Sequence, residues 1–303
     1  MASSPPEKSP LPVAEIESFS QLDLSPIMLR ALKRLGYEKP SPIQSQVIPI
    51  ALDGNDLIGQ ARTGTGKTAA FSIPILELLD PLSECRNPQA MILVPTRELA
   101  EQVGQEITRL SHGCKTSIAV LAGGKHMNRQ MTHLREGVQV VVGTPGRIYD
   151  HIKRQTFKTH DLWCVVLDEA DRMLDIGFRP AIEKILRSCP KDRQTMLLSA
   201  TLPPEIQRLT ERYLVEPVKI NCSSSQVSVD AIEQRYLTVK QEEKLETLIK
   251  LLKREKPRQA IIFCRTKRGT DRLHRALREE LGSDQAFAKK RIECIHGDLN
   301  QRD

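Results

Sequence analysis

Two stretches of this 303-residue chain place side chains where they could handle phosphate. The first, ARTGTGKT at 61–68, follows the strand-like run DLIG and precedes a helical run. A glycine-rich turn between strand and helix lets backbone N–H groups point at an anion, and the helix N-terminus adds positive potential. Ala61, Thr63, Gly64, Thr65, Gly66, Lys67 and Thr68 would line such a cradle. The Lys67 ammonium would reach the β- and γ-phosphates, and the Thr68 hydroxyl would hold Mg²⁺. The strict pattern has glycine at position 61; alanine there also allows a close approach. A plain flexible turn is the competing reading. The second stretch is VVLDEADRMLD, in which an apolar run ends in the adjacent carboxylates Asp168 and Glu169. A carboxylate at the C-terminal end of a buried strand sits beside the phosphate crevice of an open α/β sheet. Asp168 can then hold Mg²⁺, largely through water. Glu169 can orient or deprotonate an attacking water. The competing reading is an acidic first turn of a helix, which the helix dipole favours.

These groups need a scaffold, and the apolar runs describe one. AMILV (90–94), TSIAVL (116–121), VQVVV (138–142), WCVVLD (163–168) and TMLLSA (195–200) lack clean alternation. That suits strands buried on both faces of a parallel sheet. Helical stretches at 97–110, 178–188 and 203–213 lie between or after them. Repeated βα units predict an α/β fold, an open doubly wound parallel sheet with right-handed crossovers. Residues 1–18, rich in Pro, Ser and Glu, read as a disordered leader. The first domain spans 19–221, and the small polar run at 222–232 reads as a linker. A second βα series fills 233–303: strands at 233–239, 260–264 and 291–295, with helices striped by Leu245, Leu248, Ile249 and Leu252 and by Leu273, Ala276, Leu277 and Leu281. Asp298 reads as the N-cap of a helix opening at Leu299.

Charged residues are 27% and hydrophobic ones 39%, the balance of a soluble globular chain. The net charge of +7 permits nucleic-acid binding without demanding it. No apolar run approaches the length of a membrane span, and no signal-peptide pattern opens the chain. The seven cysteines include no CxxC pair, which suggests neither zinc nor a disulfide framework and fits a reducing cytoplasm.

Further motifs join the first two in order. GYEKPSPIQ (36–44) is preceded by Phe19, and PTRELA (95–100), GG (123–124), TPGR (144–147) and SAT (199–201) follow. IIFCRTK (261–267) and HGDLNQR (296–302) come last. From about residue 19 onward the chain resembles a DEAD-box RNA helicase of superfamily two, named for the tetrad Asp168-Glu169-Ala170-Asp171. The resemblance implies a RecA-like first lobe and a partial second RecA-like lobe, ATP with Mg²⁺ as ligands, and RNA as partner. It implies that Gln44 reads the adenine edge and that Phe19 stacks on the ring. It implies that Thr96, Arg97, Gly124, Thr144 and Arg147 hold the RNA sugar-phosphate backbone, contacts that carry no sequence information. It implies that Asp171, Ser199 and Thr201 couple ATP state to strand separation. Singly, Arg97 and Arg147 could be ordinary solvated side chains, and Ser199 or Thr201 a helix cap. The family's late second-lobe motifs, with their γ-phosphate arginines, are not matched in these 303 residues. The expectation is therefore a monomeric, cytoplasmic, truncated chain that binds ATP weakly and unwinds nothing. A non-catalytic ATP- or RNA-binding module and another P-loop NTPase, such as a DNA helicase, are the alternatives.

Overall fold

A computed structural model describes residues 16–80, 87–114, 116–222, 233, 235–282 and 291–299. The expected leader and linker fall almost wholly outside these residues. The chain divides into two compact units, Met1–Gln226 and Val227–Asp303.

The first unit is built on seven parallel strands: β1 Leu57–Gln60, β2 Ala90–Leu93, β3 Ile118–Leu121, β4 Val140–Gly143, β5 Cys164–Leu167, β6 Gln194–Ser199 and β7 Val218–Asn221. Their order is β3-β4-β2-β5-β6-β1-β7. The helices are α1 Pro26–Arg34, α2 Pro42–Leu52, α3 Lys67–Leu78, α4 Arg97–Leu110, α5 Met127–Glu136, α6 Pro145–Lys153, α7 Ala170–Asp175, α8 Arg179–Ser188 and α9 Pro204–Tyr213. A helix ends most crossovers on one face or the other, so successive strand residues are buried in opposite directions. Ala90 and Ile92 join one core, with Val47, Phe71 and Ile107. Met91 and Leu93 join the other, with Ile148, Met173 and Ile185. The same split separates Met196 and Leu198 from Leu197. This two-sided burial is why the strand sequences show no polar alternation.

β7 lies outside the strands that the sequence predicts. Among the described residues VKIN pairs with β1 alone and is an edge, and of its four residues Ile220 is buried. Short edge strands with polar residues carry a weak apolar signal. Asp56, just ahead of β1, fastens this edge. Its Oδ1 accepts from Thr195 N at 2.6 Å and its Oδ2 from Val215 N at 2.7 Å.

In the second unit the striped helices are present as α10 Lys244–Glu255 and α11 Lys267–Leu281. Leu248, Ile249, Leu252, Leu273 and Ile292 pack around Leu277 and Leu281. The three expected strands are not there among the described residues: 235–239, 260–264 and 291–295 have no ladder. Phe263 is 93% exposed and Ile295 91%. Apolar composition nominates a strand, but hydrogen bonds to a neighbour make one. The helix expected after Asp298 runs into 300–303, outside the described residues, and the Asp298 carboxylate pairs with Lys267. Among the described residues no helix is long and apolar enough to cross a membrane.

Candidate functional site

Chain order crosses the sheet between β1 and β2, on opposite sides of β5 and β6. Crevices at such a switch point open at the C-terminal ends of the strands. There the turn after β1, the carboxylates after β5 and the hydroxyls after β6 meet.

The turn after β1 begins with Ala61, whose N–H donates to Ser199 O at 3.0 Å and so extends the β1–β6 ladder. Its backbone has no positive φ, so glycine is not required at this position. Gly64 and Gly66 do need their freedom, at φ +80° and +90°. Gly66 is the N-cap of α3 and, having no side chain, leaves the first N–H groups of that helix uncapped. Uncapped N–H groups at a helix start are donors for an anion. Lys67, only 6% exposed, arches back and donates from Nζ to Ala61 O at 3.0 Å. Thr65 Oγ1 closes the loop onto Arg62 O at 2.8 Å. Thr63 is exposed and Thr68 half-buried at the mouth.

Gln44 holds this loop from outside. Its Oε1 accepts from Ser41 N at 2.9 Å and its Nε2 donates to Gly66 O at 3.1 Å, while Ser41 Oγ donates to Thr65 O at 2.8 Å. The amide still has one N–H and one lone pair for another partner. Phe19 is 4% exposed and lies edge-on to Tyr37, with ring centroids 6.1 Å apart. It is a core side chain here, with little ring face open to a ligand.

Asp168 is 3% exposed, and its Oδ1 accepts from Glu169 N at 2.9 Å. Burial pushes its carboxyl up to about 6; the Lys67 charge opposes this and the Glu169 charge adds to it. A buried acid of this kind gains from a cation, which favours its ionised form. Glu169 has left-handed backbone at φ 50°, ψ 50°, a conformation that costs a non-glycine residue about 1–2 kcal/mol. Among the described residues its buried Oε2 accepts no hydrogen bond, and it pairs with the Arg172 guanidinium at 3.5 Å. The donor set fits both a triphosphate and a divalent cation.

Two residues further, Asp171 joins the end of β6. Its Oδ2 accepts from Thr201 N at 2.9 Å and Thr201 Oγ1 at 2.8 Å, and its N–H donates to Ser199 Oγ at 3.2 Å. Burial alone would raise the Asp171 carboxyl, but the Thr201 hydrogen bonds outweigh it and hold the group below its ordinary value.

The other half of the same sheet edge, at β3-β4-β2, carries the five expected backbone-binding residues. Thr96 caps α4, accepting from Leu99 N at 3.2 Å. Arg97 lies on the glycine pair after β3; a Cβ at Gly124 would sit 2.2 Å from its Nη1. Thr144 is buried at the start of α6. Arg147 Nη1 donates to Lys125 O and to Gln130 Oε1, each at 3.2 Å. Lys125 itself is exposed and paired with Glu101.

The sequence profile of DEAD/DEAH box helicases matches residues 41–209, more than half of the chain. The chain belongs to the DEAD/DEAH box helicase family. The DEAD-box ATP-dependent RNA helicase CshA of Bacillus subtilis is 42% identical over 284 residues, 94% of this chain and 56% of its own length. The ATP-dependent RNA helicase CshA of Limosilactobacillus reuteri is 44% identical over 283 residues, 93% of this chain and 55% of its own length. The chain thus spans about half the length of the curated relatives it matches. Among solved structures, a DEAD box protein from the hyperthermophile Methanococcus jannaschii is 41% identical, with a TM-score of 0.66. That match covers 95% of this chain and 75% of the other.

In this DEAD/DEAH box protein Ser41, which holds the phosphate-loop backbone, is not among the residues singled out from sequence. Ser41 was legible as a hydroxyl three residues before Gln44 at a helix start, the spacing of a capping box. The contact between Gln44 and Gly66 yields an expected result. A Cβ at Gly66 would lie 2.4 Å from Gln44 Nε2, whereas one at Gly64, with similar φ, meets nothing within 4 Å. Gly64→Ala should destabilise by about 1–2 kcal/mol through backbone strain alone. Gly66→Ala should lose on the order of 1 kcal/mol more, from the displaced hydrogen bond. Thermal melts of the two variants check the difference.

Proposed function

We propose that this chain carries the ATP- and RNA-binding edge of an ATP-dependent RNA helicase. In this reading the 19–221 region is a RecA-like ATP-binding lobe and the residues from 233 belong to a second. The whole protein hydrolyses ATP and locally unwinds short RNA duplexes or remodels RNA–protein complexes. The observation that carries the reading is the Lys67–Asp168–Glu169 group at the strand ends. A buried cation, a carboxyl raised by burial and the Glu169 carboxylate, on strained backbone and paired with Arg172, lie together at the strand ends.

Each residue has a task that its surroundings support. The uncapped start of α3 and Lys67 bind the phosphates of ATP. Thr68 and Asp168 would hold Mg²⁺, which supplies charge neutralisation between the phosphates when bound. Glu169 orients the attacking water and takes its proton, its αL backbone aiming the carboxylate off the end of β5. Gln44 uses its spare donor and acceptor on the adenine edge, which selects ATP over GTP. Asp171 transmits changes at the phosphates to Ser199 and Thr201 through the bonds described. Thr96, Arg97, Gly124, Thr144 and Arg147 hold RNA by its backbone.

We further propose slow turnover by the 303-residue chain alone, since none of its arginines matches the family's γ-phosphate finger positions. Such arginines are worth about 10³–10⁵ in kcat. The test is ATP affinity and hydrolysis measured with RNA and with DNA of one sequence. The expected result is ATP binding, RNA binding in preference to DNA, and slow hydrolysis that Glu169→Gln removes while ATP affinity stays. Equal stimulation by DNA would make the chain a different P-loop NTPase. If Glu169→Gln leaves every effect of the chain intact, it is a binding module only.

A further inference from the structure

We infer that Gln130 and His151 are positioning residues for RNA binding, a buried pair that holds the Arg147 guanidinium in register with the Gly123–Gly124 turn. The inference rests on the RNA reading of this sheet edge.

Gln130 is 6% exposed and His151 fully buried, so their polar atoms must find partners inside the protein. Gln130 Nε2 donates to Ala122 O at 2.9 Å, at the end of β3. That bond fixes which end of the amide is oxygen. Gln130 Oε1 is therefore an acceptor, and it faces two donors: Arg147 Nη1 at 3.2 Å and His151 Nε2 at 3.0 Å. His151 Nε2 must then carry its proton, while Nδ1 lies 2.8 Å from Thr156 Oγ1. Arg147 and His151 stand four residues apart on α6, and thus on one helical face. A single glutamine amide joins both to α5 through its oxygen and to the end of β3 through its nitrogen.

The geometry leaves Arg147 oriented but not consumed. Its Nη1 is shared between Gln130 Oε1 and Lys125 O. Among the described residues no acceptor takes its Nε or Nη2, the edge that could present a fork to a phosphate. Burial first, and the Arg147 charge second, hold the His151 imidazole down at about 4. It stays neutral and adds no repulsion to the arginine it helps to place. A histidine that merely filled core volume would not need its tautomer set by the same oxygen that accepts from Arg147.

Ordering a long side chain before binding saves the entropy otherwise lost on binding. Gln130→Met keeps volume and removes the acceptor. In anisotropy titrations of a labelled single-stranded RNA on the whole chain, it should weaken affinity about 3- to 10-fold. Gln130→Glu, which retains the acceptor, should stay closer to the parent. In the Arg147→Ala background Gln130→Met should change nothing further, and ATP affinity should be unaltered in all three. Equal weakening in both backgrounds would mean a general packing defect and would overturn the inference, as would an unaffected Gln130→Met. If Arg147→Ala itself leaves RNA affinity unchanged, the RNA reading of this edge fails and the inference with it. Should Gln130→Met melt too low to measure, His151→Gln probes the same oxygen from the other side, and it too should be silent without Arg147.

Discussion

Lys67→Ala should weaken Mg·ATP binding by on the order of 100-fold and move the half-titration of Asp168 upward from about 6. Lys67 is almost wholly buried, and its ammonium is tethered to the carbonyl of Ala61 across the loop it would serve. An ion pair with phosphate in such surroundings is little screened, and truncating one partner of a buried charged pair typically costs 2–5 kcal/mol. The second effect follows from the same charge. Burial raises the Asp168 carboxyl, and Lys67 is the main influence opposing it. Without that cation the carboxylate is harder to ionise at neutral pH, so Mg²⁺ is also held less well. Calorimetric titration with Mg·ATP at pH 6, 7 and 8 separates the two. The variant should recover part of its affinity as pH rises, more than the parent does. Affinity within threefold of the parent at all three values would remove Lys67 from the phosphate site. Lys67→Arg should not substitute, because the wider planar head does not fit the space of a compact ammonium.

Most of the first unit is legible in its sequence, for a definite reason. A strand covered on both faces must be apolar throughout, and only a sheet with helices on both sides covers it so. Val140, Val141 and Val142 alternate between the two cores and therefore leave no polar gap in the sequence. The same logic fails where burial is one-sided or missing. β7 buries only Ile220, and the apolar runs around Ile261 and Ile295 have no neighbouring strand among the described residues. At the site, residues whose own chemistry is unusual were legible: Lys67 behind glycines, Asp168 and Glu169 behind an apolar run. Gln130 and His151 were not. A glutamine and a histidine on separate amphipathic helices look like surface residues until the chain brings one oxygen to both. Ala61 shows the converse. The pattern asked for glycine, but that position continues the β1–β6 ladder with ordinary dihedrals and needs no special freedom. Phe19, expected on the adenine ring, packs edge-on to Tyr37 in the core.

Asp168→Asn should make the ligand-free protein more stable at pH 7 while removing the stabilisation that Mg²⁺ adds to ATP. The carboxyl rises from its ordinary value of 3.8 to about 6 in the fold, chiefly because burial penalises its charge. A raised folded value means that the unfolded chain gives up its proton first. The stability tied to the protonated group is therefore complete below about pH 4 and declines as pH climbs through 6. At pH 7 the ionised group opposes folding by up to about 3 kcal/mol, at about 1.4 kcal/mol for each pH unit of displacement. Asparagine has nearly the same shape and no charge, and its oxygen can keep the bond from Glu169 N. Part of the gain is lost because the new amide N–H₂ sits near Lys67, which is also a donor. A rise of about 1–3 kcal/mol corresponds to a melting point several degrees higher. The parent should narrow this gap by about half as pH falls from 7 to 5, because protonation of the folded group then does what the substitution does. With Mg·ATP present the order should reverse, since the cation rewards the charge that the empty fold opposes. A variant that melts below the parent at pH 7, or a gap that does not shrink on acidification, would show that Asp168 is not held against its charge. A site kept ionised at the expense of stability is the mark of a group retained for binding rather than for folding.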